Sequence, residues 1–197
     1  MNSRLQSHVL PLAVLFYVIG LAPGMAHQAS NVTGGIASGF LHPLFGLDHV
    51  VAMVAVGLWG AILGPPAVWV LPIVFPLVMA VGGGLSISGI SLPHVEIGIA
   101  VSALVLGLMI AFAAKPPNWV AAIIVGSFAI FHGHAHGTEL PQAADPLAYS
   151  LGFVVATGLL HLFGIGLGLL SRWRSGILFI RSCGGVIAAT GAAFLVW

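Results

Sequence analysis

The chain has 197 residues, 59% of them hydrophobic and 5% charged, with a formal net charge of +1. Soluble domains carry roughly 25% charged residues, and five Lys/Arg with four Asp/Glu cannot cover a soluble surface, so the chain reads as an all-α integral membrane protein. The balance leaves no basic face for nucleic acid, and the single cysteine, Cys183, excludes both an internal disulfide framework and a cysteine-based zinc site.

Residues 1–26 have the layout of a secretory signal peptide. Arg4 supplies the charged start, Leu10 to Leu21 a short apolar run, and Gly24-Met25-Ala26 the small residues before a cleavage site. An uncleaved first span is the alternative, and both readings put His27 outside. After cleavage His27 begins the mature chain, where its α-amine and imidazole can chelate a metal together. Residues 27–197 read as one domain, a bundle of six transmembrane helices joined by short loops.

The first span covers about 35–63. As one straight helix it would run roughly 43 Å at 1.5 Å per residue, against a hydrocarbon core of ~30 Å. A break is therefore expected, and Pro43 and Gly46 mark its place. Span two is about 67–88, with Pro72, Pro76 and Gly82-Gly83-Gly84 inside it. Span three is about 94–113 and ends at Lys115-Pro116-Pro117. Span four, about 118–137, ends in His132-Gly133-His134-Ala135-His136-Gly137. Span five, about 147–170, contains His161 and the packing glycines Gly164, Gly166 and Gly168. Span six is about 176–197, with Trp197 as an interfacial anchor. Lys115, Arg172 and Arg174 then share one side, and Glu139 and Asp145 the other. The positive-inside rule makes the basic side cytoplasmic and the mature N-terminus external, in a multi-pass protein of a bacterial-type inner (plasma) membrane.

Against this apolar background the polar residues stand out. His42, Asp48 and His49 sit in one run, and ionisable groups inside a membrane are costly enough to mark function. His132, His134 and His136 form a second group near the end of span four. On an unbroken helix His42 and His49 share a face that Met53 continues. His132 and His136 likewise share a face with Glu139, while His134 points elsewhere. His94 and Glu96 open span three on the same side of the membrane, and His161 lies deeper. The primary metal-binding candidates are His42, Asp48, His49, His132, His134 and His136. The second rank is His27, Met53, His94, Glu96, Glu139 and His161, with Met53 read first as core and the two glutamates as interfacial. Asp48 either binds a metal or orients an imidazole that does. Imidazole with carboxylate suits Zn, Ni, Co or Cu(II), not the all-oxygen shells of Ca or Mg.

Two stretches, His42-Pro43-x-x-Gly46-x-Asp48-His49 followed by Met53, and Phe131-His132-Gly133-His134-Ala135-His136-Gly137-x-Glu139, resemble those of the HupE/UreJ family of membrane proteins. The likeness extends over essentially the whole mature chain. It implies a secondary permease, not an enzyme, that takes up Ni2+ or Co2+ as substrate without a tightly bound cofactor. It also implies a link to hydrogenase or urease maturation proteins, and it places the metal motifs on His42, Asp48 and His49, and on His132, His134, His136 and Glu139. Two other functions fit the residues alone: an intramembrane His/Asp metalloenzyme, although no His-Glu-x-x-His helix is present, and a metal-binding accessory protein that moves nothing.

Overall fold

A computed structural model describes residues 35–139 and 145–196. The signal-like segment, His27, the 140–144 part of the polar loop and Trp197 lie outside the described residues. Among the described residues seven α-helices follow in order: α1 (Ile36–Phe45), α2 (Leu47–Leu63), α3 (Ala67–Ile87), α4 (Val95–Ala111), α5 (Asn118–Thr138), α6 (Pro146–Gly168) and α7 (Arg174–Phe194). A 3-10 turn, Leu169–Arg172, precedes α7.

Local chemistry sets the ends. Gly64-Pro65-Pro66 separates α2 from α3. The Asp145 carboxylate accepts the backbone N–H groups of Leu147 and Ala148, at 2.9 and 3.3 Å, and Pro146 opens α6 where a missing N–H is harmless. Helices α3, α5, α6 with its 3-10 turn, and α7 are each long and apolar enough to cross a membrane. The expected first span is a bent pair instead. α1 and α2 meet at 86° and qualify only together. α4 is shorter than expected, at 17 residues. It starts after His94, whose φ is 56°, and it is closed by Ala113 at φ 50°, just before the Lys115-Pro116-Pro117 loop.

Three helix pairs carry the bundle, each closed by facing glycines. A Cβ on Gly57 or Gly164 would strike the opposing backbone between α2 and α6; Gly82 and Gly133 do the same for α3 and α5, and Gly107 and Gly184 for α4 and α7. Small residues of this kind let helix backbones touch where no hydrophobic effect drives helices together. In span five Gly164 and Gly168 pack against α2, whereas Gly166 meets nothing. α2 is the central helix. It touches α3, α4, α5, α6 and α7, and it buries ten of its 17 residues. Trp69, Ile73, Leu77 and Val81, four residues apart on α3, form an exposed stripe suited to lipid. Trp69, Trp119 and Trp173 are exposed at the end that holds Lys115, Arg172 and Arg174, as aromatic residues at a membrane interface are. Also near that end the Arg181 Nε–H donates to the Ala111 carbonyl at 2.7 Å, satisfying a terminal carbonyl of α4. Sequence reasoning had passed over Arg181.

Candidate metal centre

The cluster is built at the opposite end, around the break at Gly46. There the backbone is extended (φ −87°, ψ 105°), and α2 starts afresh one residue later. His42 therefore rides on α1 and His49 on α2, and the common face expected of an unbroken helix does not exist. The bend brings the two histidines to opposite sides of His136. A Cβ on Gly46 would stand 3.0 Å from the Asp48 carboxylate, so glycine also leaves that side chain room. Asp48 lies in the first turn of α2. Its Oδ1 accepts the His49 backbone N–H at 2.9 Å and is 3.7 Å from His49 Nδ1. It thus borders the His49 ring on the side away from the cluster, in contact with the imidazole that it was expected either to orient or to join as a ligand.

α5 supplies the facing side. His132 is fully buried, and its Nε2 lies 2.9 Å from the Ser102 hydroxyl of α4. That hydroxyl gives its one proton to the Ile99 carbonyl at 2.6 Å, so it accepts from His132 Nε2–H. His132 Nδ1 is left as the ring's lone pair, and it points at His49 Nε2, 3.2 Å away. The same His49 nitrogen meets His136 Nε2. His136 turns its other nitrogen outward, with Nδ1 at 3.0 Å from His42 Nε2 and 3.4 Å from Glu139 Oε2. His42 Nε2 is in turn 3.0 Å from Glu139 Oε2. His42, His136 and Glu139 each offer a ligand atom within 4.8 Å of the others. The result is a continuous line, Glu139–His42–His136–His49–His132–Ser102, that runs from exposed to fully buried.

Hydrogen bonds from His136 and His42 hold the Glu139 carboxyl well below the usual carboxylate range, so the outer end of the line carries a negative charge. Aromatic rings wall the histidines in. Phe153 lies 4.4 Å from His136 and Phe75 lies 5.5 Å from His132, ring centre to ring centre.

Of the primary candidates, His42, His49, His132 and His136 join directly, with Asp48 against His49. His134 faces away, as its helical position predicts, and its Nε2 pairs with the Ile90 carbonyl in the α3–α4 connection at 2.9 Å. Glu139, read from sequence as interfacial, instead touches two histidines. Met53 is fully buried core. His94 and Glu96 are exposed, and their side chains make no hydrogen bond or ion pair among the described residues. His161 is buried on α6, away from the line. Sequence reasoning missed Ser102, Phe75 and Phe153. Ser102 left a usable signal, a lone hydroxyl seven residues into an apolar helix. The two phenylalanines left none, because apolar residues fill every span.

Neutral imidazoles with a carboxylate at the mouth make a donor set for late first-row divalent cations. Fold and site together define a polytopic helical membrane protein with a histidine cluster set into one end of its bundle. More narrowly, the chain belongs to the HupE/UreJ family: the family model described as HupE / UreJ protein matches residues 14–194. It is 49% identical over 175 residues to Protein HupE of Rhizobium leguminosarum bv. viciae, which covers 88% of this chain and 92% of that one. No solved structure matches it.

Proposed function

We propose that the chain is a secondary permease that takes up Ni2+ or Co2+ from the periplasmic side and supplies the maturation of a metalloenzyme such as hydrogenase or urease. The observation that carries this reading is the position of His136, which faces His42 and Glu139 through Nδ1 and His49 through Nε2. A cation first gathers at the mouth, drawn by the ionised Glu139 and the half-exposed Asp48, and takes ligands from Glu139, His42 and His136. It then leaves Glu139, His42 and the Nδ1 of His136 for His49, His132 and the Nε2 of the same His136, whose ring proton moves to the nitrogen that gives up the metal. Stepwise exchange of this kind keeps each stage weak enough to leave, as conduction requires. Selectivity follows from the ligands. Imidazole binds late transition metals well, whereas Mg2+ sheds its water reluctantly and prefers oxygen.

The orientation rests on charge: Lys115, Arg172 and Arg174 face the cytoplasm, and the histidine end faces out. Purified protein in liposomes tests the whole reading. Vesicles holding the protein with its histidine end outward should accumulate Ni2+ or Co2+ above empty vesicles, and a large excess of Mg2+ should not compete. Accumulation no greater than in empty vesicles, with that orientation verified, would leave a metal-binding accessory protein as the better description.

A further inference from the structure

One face of α6 carries Tyr149, Phe153, Thr157 and His161 at successive four-residue steps, so the four side chains form a single column along the helix. The top of the column belongs to the cluster. Tyr149 lies 5.8 Å from His42 and Phe153 4.4 Å from His136, ring centre to ring centre. Thr157 and His161 continue it one and two turns further in, and both are buried, at 0% and 1% exposure. The hydroxyls of Tyr149 and Thr157 and both ring nitrogens of His161 have no hydrogen-bonding partner among the described residues. Buried polar atoms are paired in the great majority of structures, and an unpaired one calls for an explanation such as an ion. Here they are stacked on one face, and the Phe75 ring links them to the deepest histidine of the cluster: its centre lies 5.7 Å from His161 and 5.5 Å from His132. At the same level Gly57 of α2 leaves no side chain against the His161 backbone.

We propose that His161, with the Thr157 hydroxyl one turn before it, is a second and weaker binding stage for the divalent cation, inside the bundle beyond the histidine cluster. This rests on the transport reading above and deepens it. An imidazole nitrogen and neutral oxygens are ligands for late first-row divalent cations. With no carboxylate among them they hold a dication weakly, which suits a stage that the ion must leave.

The test uses the full-length protein, Co2+ as probe, and the variants His161→Phe, His161→Cys and Thr157→Val. Phenylalanine fills the imidazole's place without polar atoms, so the fold should be at least as heat-resistant as wild type. Equilibrium dialysis should find one weakly held Co2+ fewer per chain in His161→Phe, with the tighter binding unchanged. Its initial uptake into vesicles should drop at least tenfold. His161→Cys, which restores a soft ligand, should recover part of both, and Thr157→Val should weaken the second stage without abolishing it. Wild-type uptake by His161→Phe would overturn this stage alone. So would slow uptake with an unchanged Co2+ count, which would make His161 a proton or water site. A wild-type protein that moves no metal would overturn the transport reading and this stage with it.

Discussion

Ser102 shows how much of the centre is decided by single atoms. By giving its proton to Ile99 it fixes which His132 nitrogen carries hydrogen, and so which lone pair faces His49. Partners of this kind are worth about 10–100-fold in metal affinity or activity where they support metal-binding histidines. Ser102→Ala should therefore cut uptake by about tenfold. It should also cost about 1–3 kcal/mol of stability, because a buried N–H loses its acceptor; thermal unfolding in detergent and vesicle uptake measure the two effects. His134→Ala should behave differently. Among the described residues its ring pairs with the Ile90 carbonyl alone, so the loss is about 1 kcal/mol of stability with uptake close to wild type, and an inactive but well-folded His134→Ala protein would contradict the placement of that ring. At this scale the sequence was most legible for the histidines. Polar groups are rare enough in a membrane chain to stand out, and helical spacing already separated His134 from His132 and His136. It was least legible for partners that belong to other helices. Glu139 reads as an interfacial residue until α1 is bent across the mouth, and nothing local to Ser102 reveals that His132 will lie beside it.

Helices decide whether those atoms meet. The break was readable, since a 29-residue apolar segment with Pro43 and Gly46 inside it cannot be one straight span. Its angle was not, because 86° is set by what α1 packs against, chiefly α6. That angle turned two histidines expected on one face into histidines on opposite sides of His136. Helix pairing was equally hidden. The glycines of the chain announce close packing, yet only the assembled bundle tells which ones face each other. Gly133 is the most exposed to test, because it lies between His132 and His134 and sits against the Met79 backbone. Gly133→Ala should push α5 away from α3, destabilise the protein by about 1–3 kcal/mol as over-packing does, and lower uptake with it. A Gly133→Ala protein as stable as wild type would mean that α3 and α5 do not touch there.

The whole molecule is polarised. Among the described residues its acidic mouth and histidine cluster occupy one end, and Lys115, Arg172, Arg174 and the exposed tryptophans the other. The polarity was legible from charge and loop counting alone, whereas the exact lengths of the spans were not: α4 stops short because His94 and Ala113 take left-handed conformations that no composition reveals. The polarity also sets a pH dependence. An imidazole binds metal only when neutral, and its unperturbed pKa is ~6.5. Protons should therefore compete with the cation, and uptake should fall as the outer solution is made acidic. Glu139 does not contribute to that fall. Its carboxyl is held below the ordinary range, so the charge it supplies is present above that range and is lost only at far more acid pH. Uptake that stays constant until the protein unfolds in acid would contradict a histidine-lined path.

The central claim is that the line of histidines bordered by Asp48 is the path of the metal, and uptake by His49→Ala and Asp48→Asn tests it most directly. His49 stands between His132 and His136, and Asp48→Asn retains an oxygen for the His49 backbone N–H while removing the charge. Both variants should reach the membrane in wild-type amounts, and both should accumulate no more Ni2+ or Co2+ than empty vesicles. Normal uptake by the two variants would contradict the account.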